Sequence, residues 1–181
     1  DTDDDNTMID AFIEAATDYA ESFQGRALID QTWDLYLDAW PDAVLVGSRQ
    51  VNEIRIPKPP LIEVVGVFYL DSAGDEQTVS ADLYSVDAAG EPGRVVLKSG
   101  SWPTLPELAN AVRVRFRSGY VDASGSPAVG SVPKTTFAAI LIIVADLYAN
   151  RESIVVGQTV AKVPYAAEVL LRRRKFDLSM A

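Results

Sequence analysis

Apolar residues recur with a helical period near the start of the chain. They are spaced three and four positions apart, which predicts one apolar stripe on an α-helix: Ile9, Phe12, Ile13, Ala16, Tyr19, Ala20 and Phe23. Thr7, followed three positions later by Asp10, indicates an N-cap. Gly25 is a typical stop signal. The pattern therefore predicts an N-terminal helix within residues 1–26.

An alternation with a period of two, typical of β-strands, takes over in the middle of the chain. In TWDLYLDAW, Trp33, Leu35 and Leu37 alternate with Asp34 and Tyr36, which indicates a half-buried strand. The turn-forming segment DSAGDEQ lies between IEVVGVFYL and TVSADLYSVD and predicts that the two form a hairpin. Further short strands are predicted in NEIRIPKPPL, RVVLKSG and AVRVRFRSGY. Residues 31–120 are therefore predicted to be a section of antiparallel strands.

The segment FAAILIIVADLYANRE returns to a helical pattern and begins with nine successive apolar residues. A transmembrane helix needs about 20 apolar residues, so the run predicts a core helix, over residues 133–152, with Pro133 at its first position. Its inward stripe is predicted to be Phe137, Ile140, Leu141, Val144, Leu147 and Tyr148. The opposite side is also apolar, so we expect strands or a neighbouring copy of the chain to cover it.

A last helix is predicted to begin at Pro164 and to run into a tail, over residues 164–181. The element order is therefore one helix, a run of strands and two helices. Segregated helices and antiparallel strands predict an α+β fold in one domain over residues 1–181. We expect the helices to pack together as a small bundle, with the strands as an insertion or a side layer.

The chain contains no cysteine and no histidine. Disulfides, thiolate metal sites and Ser-His-Asp triads are therefore excluded. The sequence also lacks the glycine-rich motifs of nucleotide-binding loops and the GxSxG motif of hydrolases. The acidic start DTDDDNTMID lacks the glycine and the distal Glu of a calcium loop, and it does not predict a signal peptide. We therefore name no catalytic residue and predict no metal at this acidic start; a carboxylate-dependent enzyme is an alternative.

The net charge of −10 is unevenly distributed along the chain. Residues 1–91 hold 20 acidic and 4 basic side chains, a net charge of −16, whereas residues 92–181 hold 6 acidic and 12 basic ones, a net charge of +6. This asymmetry predicts complementary surfaces, within one protomer or between neighbouring copies. The alternative is ordinary solvated faces.

Two basic clusters are candidate sites. In AVRVRFRSGY, Arg113, Arg115 and Arg117 occupy alternate positions of a strand and are expected to project from one face. They are candidates for ion pairs with a neighbouring subunit or for contact with nucleic-acid phosphates, or they form a solvated outer face. The second cluster ends the last helix: Arg172, Arg173, Arg174 and Lys175. It either complements the helix dipole or binds an acidic partner.

Several segments together resemble the head–tail connector family (adaptor, or head-completion proteins) of tailed bacteriophages and phage-derived gene transfer agents. They are the N-terminal MIDAFIEAATDYAESFQGRALIDQTWDLYLDAW, the block IRIPKPPLIEVVGVFYLDSAGDEQTV, the LYSVD…EPGRV stretch, the Trp102–Pro103 loop, AVRVRFRSGY, and VPKTTFAAILIIVADLYANRESIVVG. Their order along most of the chain carries the resemblance. PDAVLVGSRQVNE is longer, and the RRRKFDLSMA end more basic, than the family pattern.

The resemblance implies a structural role. Family members form a ring, usually of twelve copies, that docks under the portal protein and joins it to the next neck or tail component. DNA passes through the channel without sequence-specific binding, and no cofactor is needed. The location implied is the neck of a particle assembled in the bacterial cytoplasm, away from membranes. The portal-docking candidates are Arg172, Arg173, Arg174, Lys175 and Phe176. Another ring component of the same particle, a stopper or a tail terminator, is the alternative.

Overall fold

The computed structural model describes residues 2–46, 49–122, 124–126, 128–151 and 163–176. Within them the chain is α+β, as predicted. The helices are α1 (Thr2–Gln24), α2 (Lys134–Ala149) and α3 (Tyr165–Arg172), with a 3₁₀ turn at Val129–Ser131 before α2. The strands are β1 (Gln31–Leu37), β2 (Val44–Val46), β3 (Arg49–Val51), β4 (Glu53–Ile56), β5 (Leu61–Leu70), β6 (Glu76–Thr78), β7 (Tyr84–Asp87), β8 (Gly93–Leu97) and β9 (Val112–Ser118).

The strands form antiparallel sheets that we call, together, the sheet half. One sheet has the order β1-β9-β5-β6, a second has the order β4-β8-β7, and β2 pairs with β3. The predicted hairpin exists between β5 and β6, across a turn in which the Asp71 carboxylate accepts hydrogen bonds from the backbone of Ala73 and Asp75. Its second arm is shorter than predicted, because the chain turns after Val79 and β7 pairs with β8 in the other sheet.

The core of the sheet half lies between the two larger sheets. Strand β9 buries alternate residues, Val112, Val114 and Phe116, and turns its arginines to the other face. Residues of both sheets join this core: Ile54, Ile56, Leu61, Val67 and Val95. Gly93 is required by the close approach of the sheets, because a Cβ atom there would lie 2.5 Å from the Leu61 side chain.

The three helices pack as a small bundle, as predicted, which we call the helical half. Helix α2 packs against both α1 and α3. Small residues line the contact, namely Ala16, Ala20, Ala139 and Ala167, and all four are fully buried. Ile140, Ile143 and Leu171 fill the space between them. The small alanine side chains therefore allow the three helices to approach one another closely.

Two details of the predicted helices are wrong. Helix α1 begins at Thr2, so Thr7 lies inside the helix and is not its N-cap. The predicted inward stripe of α2 is correct for Ile140, Val144 and Leu147, which lie in the core or pack against it. It is wrong for Phe137 and Leu141, which are 40% and 53% exposed, whereas Thr136 and Ala139 are buried. Hydropathy alone did not locate the buried face, because most positions of α2 are apolar. The contact of Ala139 with the buried alanines of the other helices determines which face of α2 is buried. The last residue of the predicted helix 133–152 and the tail residues 177–181 lie outside the described residues.

Candidate functional site

The three arginines of β9 project from one face of the sheet, as the alternation predicted. Arg115 donates two hydrogen bonds to the Asp34 carboxylate, at 2.9 and 2.7 Å. Arg113 donates to both oxygens of Glu76, at 2.9 and 2.6 Å, and lies over the Phe68 ring. The hydrogen bonds from Arg115 lower the pKa of Asp34, and those from Arg113 lower the pKa of Glu76. The charges of these arginines are thus balanced by carboxylates of neighbouring strands.

Arg117 completes this network. Its guanidinium donates to both carboxylate oxygens of Asp30 and also to Glu63 on β5. The three arginines therefore bind four carboxylates of the same chain: Asp30, Asp34, Glu63 and Glu76. We call this set the arginine ladder. A contact of the ladder with another subunit or with DNA stays a prediction, and such a partner would meet a network whose charges are already paired.

A second charged cluster surrounds a buried carboxylate in the other sheet. The side chain of Glu53 is 2% exposed, and its two oxygens bind Arg55 and Arg94, each at 3.0 Å. Arg94 also binds Asp87 at 2.7 Å, and this hydrogen bond lowers the pKa of Asp87. A cleft of about 230 Å³ opens beside Glu53, Arg55, Glu91 and Arg94. All four of these groups have an ionic partner within the chain, so the cleft presents no unpaired charge to a ligand.

Arg26 connects the two halves, and no pattern in the sequence predicted this role. Arg26 is only 6% exposed, and its guanidinium donates hydrogen bonds to both carboxylate oxygens of Glu91, at 3.0 and 2.7 Å. Its Nε donates to the carbonyl oxygen of Arg174 at 2.6 Å. The hydrogen bonds from Arg26 lower the pKa of Glu91. One buried cation therefore holds the end of α1, the loop before β8 and the segment after α3 together.

The backbone of the segment after α3 is fixed against the end of α1. The Phe176 N–H donates to the Gln24 carbonyl at 2.7 Å, and the buried Gln24 side chain donates to the Leu171 carbonyl at 2.9 Å. Gly25 has a φ of 65°, and a Cβ atom there would lie 2.6 Å from the Phe176 carbonyl oxygen. The turn at Gly25 therefore needs glycine both for its conformation and for this contact.

The predicted docking residues come together at this end of the bundle. The side chains of Arg172, Arg173, Arg174 and Lys175 are exposed and Phe176 is half-buried. Arg172 lies 3.6 Å from Glu168, one turn earlier, and Lys175 lies 5.9 Å from the centre of the Phe23 ring. We call these five residues the basic corner. Their cationic groups face solvent while their backbone is held in place.

The outer faces of α1 and α2 carry features that the sequence predictions did not identify as sites. Asp10, Glu14 and Asp18 are exposed and lie four positions apart on one side of α1; no salt bridge to them is found among the described residues. The sequence contains a pattern that could have located this acidic surface, because residues four positions apart lie on one side of a helix. Phe137 and Leu141 are exposed on α2, and so are Tyr165 and Val169 on α3, at 78% and 42%. In the part of the helical half that the structure describes, acids without a salt bridge and exposed apolar residues therefore both occur.

Within the described ranges, none of the helices combines the length and the hydropathy that a membrane crossing requires. The same residues contain no group of three or more carboxylates placed to hold a metal ion.

No family model and no curated protein matches the sequence. Solved structures match it across 93% of the chain. One is a chain in the neck of an empty GTA particle computed with C6 symmetry, with a TM-score of 0.69, 21% identity and 78% of that chain covered. Another is a chain in the neck of the native particle computed with C12 symmetry, with a TM-score of 0.67, 21% identity and 81% coverage.

A third match is a chain in the virion of the native gene transfer agent (GTA) particle, with a TM-score of 0.66, 20% identity and 77% of that chain covered. These identities establish the fold, and the fold extends over nearly the whole chain. The chain therefore shares its fold with proteins of the gene transfer agent particle and its neck, in agreement with the resemblance found in the sequence.

Proposed function

We propose that this chain is a head–tail adaptor of a phage or a phage-like particle. Copies of it form a ring that docks on the portal protein and links it to the next neck or tail component, leaving a channel for DNA. The proposal rests on one finding, the fold shared with chains of the gene transfer agent neck over almost the full length. The role is structural and uses no cofactor, and the place of action is the particle neck, after assembly in the bacterial cytoplasm.

A ring of identical copies requires a heterologous interface, in which one face of a copy fits a different face of the next. The symmetry applied to the similar neck structures supports such a ring, and we propose twelve copies. Part of the chain's charge separation is satisfied internally by the arginine ladder. The exposed acids Asp10, Glu14 and Asp18, which have no salt bridge within the described residues, suit an interface with a basic surface of the next copy.

We propose that the basic corner binds the portal. Arg172, Arg173 and Arg174 present three exposed guanidinium groups, and arginine pairs well with carboxylates of a partner. Because the backbone of the corner is fixed through Arg26 and Gln24, little backbone freedom is lost on binding. An acidic surface on the portal is the expected counterpart.

Co-purification with the portal protein tests the adaptor role. We expect the tagged chain to retain the portal, with retention that weakens as salt is raised. Binding to the tail tube with no retention of portal would contradict the adaptor role and would favour a stopper or a tail terminator. Imaging of the particle neck then gives the number of copies, and any number other than twelve corrects that part of the proposal.

A further inference from the structure

Helix α2 carries an apolar stripe on its outer face with a cation near each end. Phe137, Leu141 and Ala145 are exposed and share one side of the helix, since they lie four positions apart. Lys134 precedes the stripe on the same side, and Arg151 follows it, with its guanidinium 4.6 Å from the centre of the Tyr148 ring. Neither cation has a salt bridge within the described residues. A helix that is apolar all round requires a cover on its second side.

Helix α1 carries a surface of the opposite character. Its outward acids are Asp10, Glu14 and Asp18, and the small residues Ala11 and Ala15 are exposed beside them. Small side chains leave grooves into which large apolar ones can insert when two helices pack. The outer face of α1 thus matches that of α2 both in charge and in the size of its side chains.

We propose that the outer face of α2 packs against the outer face of α1 of the next copy in the ring. Phe137 and Leu141 insert beside Ala11 and Ala15 of that copy, while Lys134 and Arg151 meet its acidic stripe. This inference rests on the proposed function, because it identifies the surfaces by which the ring closes.

A second copy is favoured over another protein because both complementary surfaces belong to this chain. They lie on different helices and face different directions, which is the arrangement that a closed heterologous ring requires. The pairing also leaves the basic corner free, because that cluster lies at the end of α3, so portal binding and ring closure use separate surfaces.

Disulfide trapping tests the pairing directly, and the absence of cysteine from the chain makes each introduced thiol unique. The double variant Ala15→Cys with Leu141→Cys is incorporated into particles and oxidised. We expect ladders of cross-linked copies on a non-reducing gel. The matched control, Ala15→Cys with Val65→Cys, places the second thiol on the sheet half, at a side chain as exposed as Leu141, 54% against 53%. We expect monomers from it.

Charge exchange provides an independent test. Glu14→Lys with Asp18→Lys, and separately Lys134→Glu with Arg151→Glu, should each abolish the incorporation of the chain into particle necks, because like charges then face each other. Combining all four substitutions should restore incorporation. All four side chains are exposed, so the thermal unfolding of each purified variant should match that of the parent chain.

The outcomes separate the two proposals. Necks that contain a ring of the chain, but show neither the Ala15–Leu141 cross-link nor rescue by the fourfold variant, would overturn the pairing and leave the adaptor role standing. Particles whose necks contain no ring of the chain would overturn the adaptor role itself. Cross-linking of the Val65 control to the same extent as Leu141 would also overturn the pairing, because contact would then be unselective.

Discussion

The two halves of the molecule differ in how many of their charges are paired within the chain. In the sheet half, three arginines each bind two carboxylates, namely Arg94, Arg113 and Arg117. Arg115 binds the single carboxylate of Asp34 through two hydrogen bonds. In the helical half, Asp10, Glu14 and Asp18 of α1 and the cation Arg173 have no salt bridge within the described residues. A surface whose charges are paired internally gains little from a further partner. We infer that the sheet half supplies stability and the helical half supplies the contacts with other proteins.

The largest effect is expected from reversing the charge of the basic corner. The triple variant Arg172→Glu, Arg173→Glu and Arg174→Glu should fold, with a loss of stability of about 1 kcal/mol or less, because the side chains are exposed. It should no longer support particle assembly, which a count of tailed particles measures. The control Lys98→Glu reverses an exposed cation of the sheet half and should leave assembly unchanged. Normal assembly of the triple variant would exclude the docking role.

The next effect concerns the junction between the halves. Replacing Arg26 by Ala removes a buried cation and leaves the Arg174 carbonyl and the Glu91 carboxylate without their donor. We expect a loss of about 2–3 kcal/mol in the free energy of unfolding, measured by chemical denaturation. Arg173→Ala, at an exposed position, should change it by less than about 0.5 kcal/mol. Equal effects of the two variants would show that the Arg26 contacts do not hold the halves together.

A smaller effect is expected within the arginine ladder. Asp34→Asn removes the charge that Arg113 and Arg115 share, and it should lower the free energy of unfolding by about 0.5–1 kcal/mol because the network is partly solvated. Assembly should be unaffected. If Asp34→Asn reduced assembly while its stability stayed that of the parent chain, the ladder would be a contact surface and the division between the halves would be wrong.

The smallest effect is the dependence of stability on pH. The folded-state pKa values of Asp34, Glu76 and Glu91 lie below their unfolded values, because arginines donate hydrogen bonds to each of them. Their stabilising contribution is complete above the unfolded pKa values, about 4, and it is lost as the pH falls through the folded ones. Urea titrations from pH 6 downwards should show stability declining, with a shallower slope in Asp34→Asn. If the slope of Asp34→Asn were identical to that of the parent chain, Asp34 would not contribute to the loss of stability at low pH.

The sequence predicted the elements better than their contacts. The alternation in AVRVRFRSGY placed Val112, Val114 and Phe116 in the core and the arginines on the other face, because a strand has only two faces. It did not reveal the carboxylate partners, since Asp34, Glu63 and Glu76 meet β9 only through the strand order β1-β9-β5-β6. In α2, the apolar pattern was too uniform to identify the buried side.

No local sequence pattern could have predicted the contacts by which Arg26 joins the two halves. Arg26 follows a helix stop signal, and its partners lie 65 and 148 positions further along the chain. A single basic residue after a helix is ordinary in a sequence, so only the packed structure distinguishes it from a solvated one. The basic corner, by contrast, was visible as four consecutive cations.

A reconstruction of the assembled particle neck, detailed enough to place side chains, tests the division between the halves most directly. We predict that Phe137 and Leu141 are buried against another copy, that the basic corner lies against the portal, and that Arg113 and Arg115 keep their pairs with Asp34 and Glu76. A neck in which the arginine ladder forms the contacts between proteins, while the outer faces of α1 and α2 stay open to solvent, would contradict the account.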